Sequence, residues 1–214
     1  MYFYFQITLL YRTAMFDGAS NFAESVDTAF LFILIVSVFF LVLITALMIF
    51  FVIRFSRKRN PKPKNIHGNV PLEITWTIVP TILVLIMFYI GWTGYKEMAE
   101  VPKDAMPIEV TGQMWQWKFR YENGKQTDTL YVPLNKAVKV NLNSVDVNHS
   151  FYIPAFKFKK DVLPGRKNVA WFIPTKPGVY TLTCAEYCGL RHSYMLTKVI
   201  VIPQDKFDKW LNKK

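Results

Sequence analysis

Two stretches of this chain run uncharged for longer than a bilayer is thick, and no other feature restricts the fold as much. Between Asp27 and Arg54 lie 26 residues without a charge, and between Glu73 and Lys96 another 22. As a helix rising about 1.5 Å per residue, the first would reach roughly 39 Å, against a hydrocarbon core of roughly 30 Å. Trp76, Trp92 and Tyr95 flank the second at interfacial depth. Pro80, Gly91 and Gly94 fit there because a neighbouring helix can repair the backbone of a spanning one. The pattern predicts spans over 28–53 and 73–96, joined by a loop at 54–72. Arg54, Arg57, Lys58, Arg59, Lys62 and Lys64 crowd that loop with no acid before Glu73. It therefore belongs in the cytoplasm, with residues 1–27 and 97–214 outside. With 52% apolar residues the chain is no compact soluble globule.

The first 20 residues lack the basic start and short apolar stretch of a cleaved signal peptide, and no cysteine offers a lipid anchor. Export then relies on the first span. The aromatic opening Tyr2-Phe3-Tyr4-Phe5 suits a partner or the membrane surface, and Met15 is an equally good start.

Beyond Tyr95 the chain turns to short segments rich in Val, Ile, Thr, Tyr, Phe and Trp, punctuated by Pro, Gly, Asn and Asp. Strands are expected over 108–113, 114–121, 129–132, 137–143, 145–153, 168–173, 178–184 and 195–202. Turn signals stand at Asn123-Gly124, Pro164-Gly165 and Pro177-Gly178. This is the pattern of an all-β sandwich or barrel with Greek-key links. Residues 204–212 read as an amphipathic helix with Phe207, Trp210 and Leu211 on one side.

Both cysteines of the chain fall in Cys184-Ala185-Glu186-Tyr187-Cys188-Gly189-Leu190-Arg191-His192-Ser193-Tyr194-Met195, and His149 precedes them. Outside the membrane a cysteine pair invites a disulfide. A disulfide leaves His192, Met195 and His149 unexplained, and zinc has little use for a thioether. A mononuclear blue-copper site would leave one thiol idle. Two coppers bridged by both thiolates use every group, with one His each and Met195 and a main-chain carbonyl as weak outer ligands. Such a centre delocalises one electron over two metals and relays it.

Four motifs carry a family resemblance: "HGNVPLEITWTIVP" at 67–80, "GQMWQW" at 112–117, "DVNHSFYIPAFKFKKDVLPGR" at 146–166 and "CAEYCGLRHSYM" at 184–195. The chain closely resembles subunit II of haem-copper cytochrome c oxidase over nearly its full length. The resemblance implies a membrane-anchored all-β protein, a two-transmembrane-helix hairpin followed by a cupredoxin-like Greek-key β-barrel. It implies a dinuclear copper (CuA) centre held by His149, Cys184, Cys188, His192, Met195 and the carbonyl of Glu186. It implies magnesium bound by the Glu186 side chain at the border with subunit I, haem only in that partner, and other oxidase subunits alongside. By the same resemblance Trp115 receives electrons from a cytochrome c, although a strand Trp also serves simple packing. Glu73 matches the mouth of a proton path, although an acid at a helix start is favoured by the dipole in any case. The implied setting is a bacterial-type plasma membrane or its equivalent, with the copper domain on the periplasmic side.

One departure concerns the electron donor. The family's docking surface is acidic, whereas this chain carries Arg120 where many members have Glu, and residues 101–214 hold 18 Lys plus Arg against 9 Asp plus Glu. Asp146, which matches a docking acid, remains. The expected donor is a cytochrome c that is not strongly basic, docking near Trp115; the rest of the lysines suit solvent or anionic lipid headgroups of the bilayer. Nucleic acid is not expected as a partner outside the membrane. No haem-attachment Cys-x-x-Cys-His is present, so the donor is a separate protein. Three rivals remain less well fitted. A copper-free quinol oxidase subunit would lack these ligands. A membrane-anchored copper chaperone or thiol oxidoreductase using Cys184, Cys188 and a distant His would alternate helices with strands. A nitrogen-oxide reductase would have a longer chain or another anchor.

Overall fold

The computed structural model describes residues 18–62, 65 and 67–213. They form two compact units, residues 27–93 and residues 18–26 with 94–213. The N-terminal aromatic run and Met15 lie outside the described residues.

The first unit consists of most of two helices, α1 (Ala23–Arg54) and α2 (Val70–Ala99), both long and apolar enough to cross a membrane. Their large apolar side chains stand bare, Ile35 and Leu41 each 66% exposed and Phe88 65%. In water such surface would be strongly unfavourable; in lipid it is solvated. Polar groups within the helices are satisfied locally. The hydroxyls of Thr75, Thr77 and Thr81 donate to the carbonyls of Pro71, Glu73 and Thr77. Asn69 Oδ1 accepts the Leu72 N–H at 3.2 Å while the Glu73 carboxylate accepts the Asn69 N–H at 3.3 Å, a reciprocal cap on α2. Asn60 Nδ2 closes the other helix by donating to the Arg54 carbonyl at 2.6 Å.

The second unit is a two-layer β-sandwich. Its strands are β1 (Met106–Gln113), β2 (Gln116–Tyr121), β3 (Gln126–Thr127), β4 (Leu130–Pro133), β5 (Val138–Ser144), β6 (His149–Ile153), β7 (Phe158–Val162), β8 (Asn168–Phe172), β9 (Gly178–Cys184) and β10 (Leu196–Ile202), followed by α3 (Gln204–Asn212). One sheet has the order β3-β2-β1-β5-β8 and the other β4-β10-β9-β6-β7. Each contains one parallel pair, β1 with β5 and β4 with β10. Alternate residues face inward, as in β5, where Val138, Val140 and Leu142 are buried. The core between the sheets holds Trp117, Phe119, Phe151, Phe156 and Phe172, each at most 2% exposed. Helix α3 caps one end, with Phe207 buried and Trp210 stacked on Tyr131 at 4.1 Å between ring centroids.

Strand positions follow the sequence expectation with three physical differences. Met114 and Trp115 make the turn before β2 rather than its first residues, and 145–148 form a loop that delays β6 until His149. β7 and the two-residue β3 are additional. β7 carries Lys159, Lys160 and Asp161, the charges of a sheet edge, so its apolar alternation is weak. A thioredoxin-like alternation of helices and strands is absent among the described residues of this unit, which removes the main structural support for a thiol oxidoreductase.

The stretch before α1 adds to the sandwich. Ala19 N–H donates to the Ala155 carbonyl at 2.7 Å, Thr175 N–H donates to that of Ala19 at 2.9 Å, and Ser20 bridges Pro174. Ala19 and Phe22 are buried, and the Phe22 ring meets Trp171 edge-on at 4.9 Å.

Candidate metal centre

Three connections converge at one end of the sandwich. The parallel register of β1 and β5 sets Gly112 beside Ser144, and the pairing of β6 with β9 sets Phe151 opposite Cys184. The turn after β1, the loop after β5 and the loop after β9 thus share that end. Leu182 and Cys184 occupy the inward side of β9, and His149, Phe151 and Ile153 that of β6. The Cys184 thiol and the His149 ring are thereby turned toward each other, 3.8 Å from Sγ to Nδ1.

The remaining groups arrive on the loop between β9 and β10. Cys188 Sγ lies 3.8 Å from Cys184 Sγ, and both cysteines are buried and free of any disulfide. A short 3-10 turn, His192–Tyr194, folds the loop back, closed by the Met195 N–H donating to the His192 carbonyl and the Cys184 N–H to that of Met195, both 3.1 Å. It brings His192 Nδ1 to 3.4 Å and Met195 Sδ to 3.8 Å from Cys188 Sγ. The Glu186 carbonyl oxygen stands 3.2 Å from Cys184 Sγ. One ligand atom each from His149, Cys184 and Cys188 falls within 4.8 Å of the others, a spacing that can hold a metal ion. Burial, and next the adjoining Cys184 thiol, pushes the Cys188 thiol up to about 12. Metal binding to such a thiol would displace its proton. Two thiols, two imidazoles and a thioether form a soft donor set suited to copper.

Both His rings point Nδ1 at sulfur, which leaves Nε2 of His149 to donate to Asp146 Oδ1 at 2.8 Å. The same carboxylate accepts the N–H groups of Met114 and Val147, each at 2.7 Å. Burial pushes Asp146 up, but the Met114 N–H, the His149 ring and the Val147 N–H together hold it below the usual carboxylate range. Asp146, expected as a docking acid, also makes this contact, which the sequence reading does not anticipate. An acid three residues before a ligand-type His, at the turn into a strand, was the available signal. Gly112 was missed as well: a Cβ there would sit 3.1 Å from His149 Cδ2 and 3.3 Å from Trp117 Cζ3, so a larger residue would press on both rings.

Trp115 meets the cluster at the loop after β9. Its indole Nε1 donates to the Cys188 carbonyl at 3.2 Å, and its ring is half-buried. Gly189 accommodates that ring, with φ at +114° and its missing Cβ only 3.4 Å from Trp115 Cζ2. Glu186 is half-buried at this end, while Glu73 lies in the other unit, engaged in the α2 cap.

Comparison with known proteins places the chain among its relatives. A family profile described as cytochrome C oxidase subunit II, periplasmic domain, matches residues 124–203, and one described as cytochrome C oxidase subunit II, transmembrane domain, matches residues 8–91. Cytochrome c oxidase subunit 2 of Alkalihalophilus pseudofirmus is 39% identical over 191 residues, covering 84% of this chain and 56% of its own length. Cytochrome c oxidase subunit 2 of Cereibacter sphaeroides is 30% identical over 220 residues, covering 84% of this chain and 73% of its own length. The chain thus spans little more than half the first relative and nearly three quarters of the second. The crystal structure of the periplasmic domain of subunit II of cytochrome oxidase of Bradyrhizobium japonicum matches with a TM-score of 0.50 at 32% identity, covering 52% of this chain and 94% of that one. The two apolar helices and the transmembrane-domain match together make this a membrane protein with two spans.

Proposed function

The chain belongs to the subunit II family of cytochrome c oxidase, and from that premise we propose that it brings electrons into a haem-copper oxidase. Copper is the metal that the family and the buried His/Cys/Cys cluster point to. Its proposed holders are His149, Cys184, Cys188, His192, Met195 and the Glu186 carbonyl, arranged as a dinuclear centre. The thiol sulfurs at 3.8 Å, with an imidazole nitrogen near each, support a shared pair rather than one metal with an idle thiol. When bound, the copper pair would accept one electron at a time and hold it over both metals.

The chain's own residues do the positioning. Asp146 holds the His149 ring by Nε2 so that Nδ1 faces the sulfurs, the carboxylate–imidazole arrangement that orients metal ligands. Trp115 links the outer surface to the Cys188 main chain through one hydrogen bond. His149 and Met195, both 0% exposed, form the buried side of the centre, and His192, half-buried, its outer side.

The proposed assembly places loop 54–72 in the cytoplasm, 28–53 and 73–96 across the bilayer, and 1–27 and 97–214 on the periplasmic side of a bacterial-type plasma membrane. A cytochrome c supplies electrons near Trp115, and haem in subunit I receives them where oxygen is reduced and protons are pumped. The Glu186 carboxylate would share a magnesium ion at the border with subunit I, as a hard oxygen ligand suits that cation. Glu73 would lie near a proton path, in addition to its cap on α2.

The single observation that carries this reading is the convergence of both cysteines, two histidines and a methionine on one buried pocket. Copper analysis and electron paramagnetic resonance on the purified chain test it: two coppers sharing one unpaired electron are expected. Cys188→Ser should abolish that shared-electron signal, and its persistence, or one copper or zinc in the unaltered chain, would sink the dinuclear assignment.

A further inference from the structure

We propose that the carrier reducing this site is an acidic one-electron protein that docks over Trp115 through an apolar patch ringed by its own carboxylates. The inference rests on the reading of the site as an electron input and specifies the partner's chemistry.

The surface around the indole is apolar. Met114, Val145, Val147 and Leu190 are 41, 57, 36 and 89% exposed. They sit on three segments tied together locally: Val145 N–H donates to the Gly112 carbonyl, Met114 N–H to Asp146, and Trp115 Nε1 to the Cys188 carbonyl. An exposed apolar rim around a half-buried indole marks a contact that sheds its water on docking.

The charges outside that rim are positive. Lys118 projects from β2 and Arg191 from the loop after β9; Arg166 and Lys167 follow Pro164, which bridges Ser144 beside the loop at 145–148. All four are exposed, and among the described residues none has an ion-pair partner. Of the acids nearby, Glu186 is half-buried, and Asp146, Asp161 and Glu109 accept local hydrogen bonds. Asp146 accepts two backbone N–H groups and the His149 ring. Asp161 accepts from the Ser150 hydroxyl at 2.9 Å and Lys159 Nζ at 3.1 Å, and Glu109 from Asn141 at 2.7 Å. With 18 basic against 9 acidic residues over 101–214, the field beyond the rim attracts an acidic partner and repels a basic one. In the docked pair the carrier loses one electron and the centre gains it; no atom or proton is transferred.

Stopped-flow reduction of the intact, copper-loaded oxidase complex by two cytochromes c, one net acidic and one net basic, tests the proposal. The acidic carrier's rate constant should fall as ionic strength rises, and the basic carrier's should rise. Lys118→Glu with Lys167→Glu should slow the acidic carrier about tenfold at low salt, speed the basic one, and leave reduction by ascorbate with a phenylenediamine mediator unchanged. Thermophoresis of the two cytochromes on the detergent-solubilised, copper-free chain should give the same order of affinity. A basic carrier that is faster or tighter at low salt, or rates for both carriers that ignore salt and the double substitution, would overturn the acidic donor while the electron-input reading stands. A centre that the small reductant cannot reduce would overturn that reading itself.

Discussion

Asp146 illustrates how much a single side chain can be asked to do at this site. Its carboxylate fastens the turn of Met114, closes the loop through Val147 and orients His149. Asp146→Asn keeps the shape but loses acceptor strength toward three donors, and copper affinity is expected to fall 10–100-fold. Competition with a chelator of known affinity measures this, and unchanged affinity would reduce the residue to a loop fastener. Asp161, whose partner Ser150 directly follows His149, supports a pH prediction for the metal-free chain. Burial pushes it up, but the Ser150 hydroxyl and then Lys159 hold it below the usual carboxylate range. A depressed carboxylate contributes stability above its unfolded value of about 3.9, and that contribution is lost as pH falls through the lower folded value. The thermal midpoint of the metal-free chain should therefore hold above about pH 4 and drop below it. Asp161→Asn should make the drop shallower in a circular dichroism series. A slope equal to that of the unaltered chain would show that its contacts are not linked to folding.

Among the elements, the five residues before α1 behave differently from what their position suggests. Ser20 Oγ donates to the Phe156 carbonyl at 2.6 Å and Asn21 Oδ1 accepts the Ile173 N–H at 2.8 Å, so side chains as well as backbone fix the segment. Phe22, 0% exposed against Trp171, fills part of the core that the strands leave open. Phe22→Ala should cost about 3–5 kcal/mol of domain stability, read from denaturant unfolding in detergent; a cost below about 1 kcal/mol would place Phe22 outside the core. A fragment beginning at Val101 lacks this filler and is expected to unfold more readily than the whole chain.

For the whole molecule, the sequence alone determined which stretches are too apolar for water, where most of the strands lie apart from β3 and β7, and which donor atoms could meet a soft metal. Those conclusions rest on local quantities: the length of an uncharged run, the alternation of Val138, Val140 and Leu142, the spacing of Cys184, Cys188 and His192. Gly178–Cys184 and Gln204–Asn212 were legible to the residue because the Pro177-Gly178 turn signal opens the first and one apolar side marks the second. Only the tertiary structure decided that His149 presents Nδ1 to sulfur because Asp146 holds Nε2, that the Trp115 indole bonds the Cys188 carbonyl, and that residues 18–22 complete a core assembled from residues more than a hundred positions away. Each of these depends on which loops the parallel pairing of β1 with β5 and the antiparallel pairing of β6 with β9 bring to one end. Strand pairing at long sequence separation is a cooperative property of the folded chain, and local composition carries no record of it.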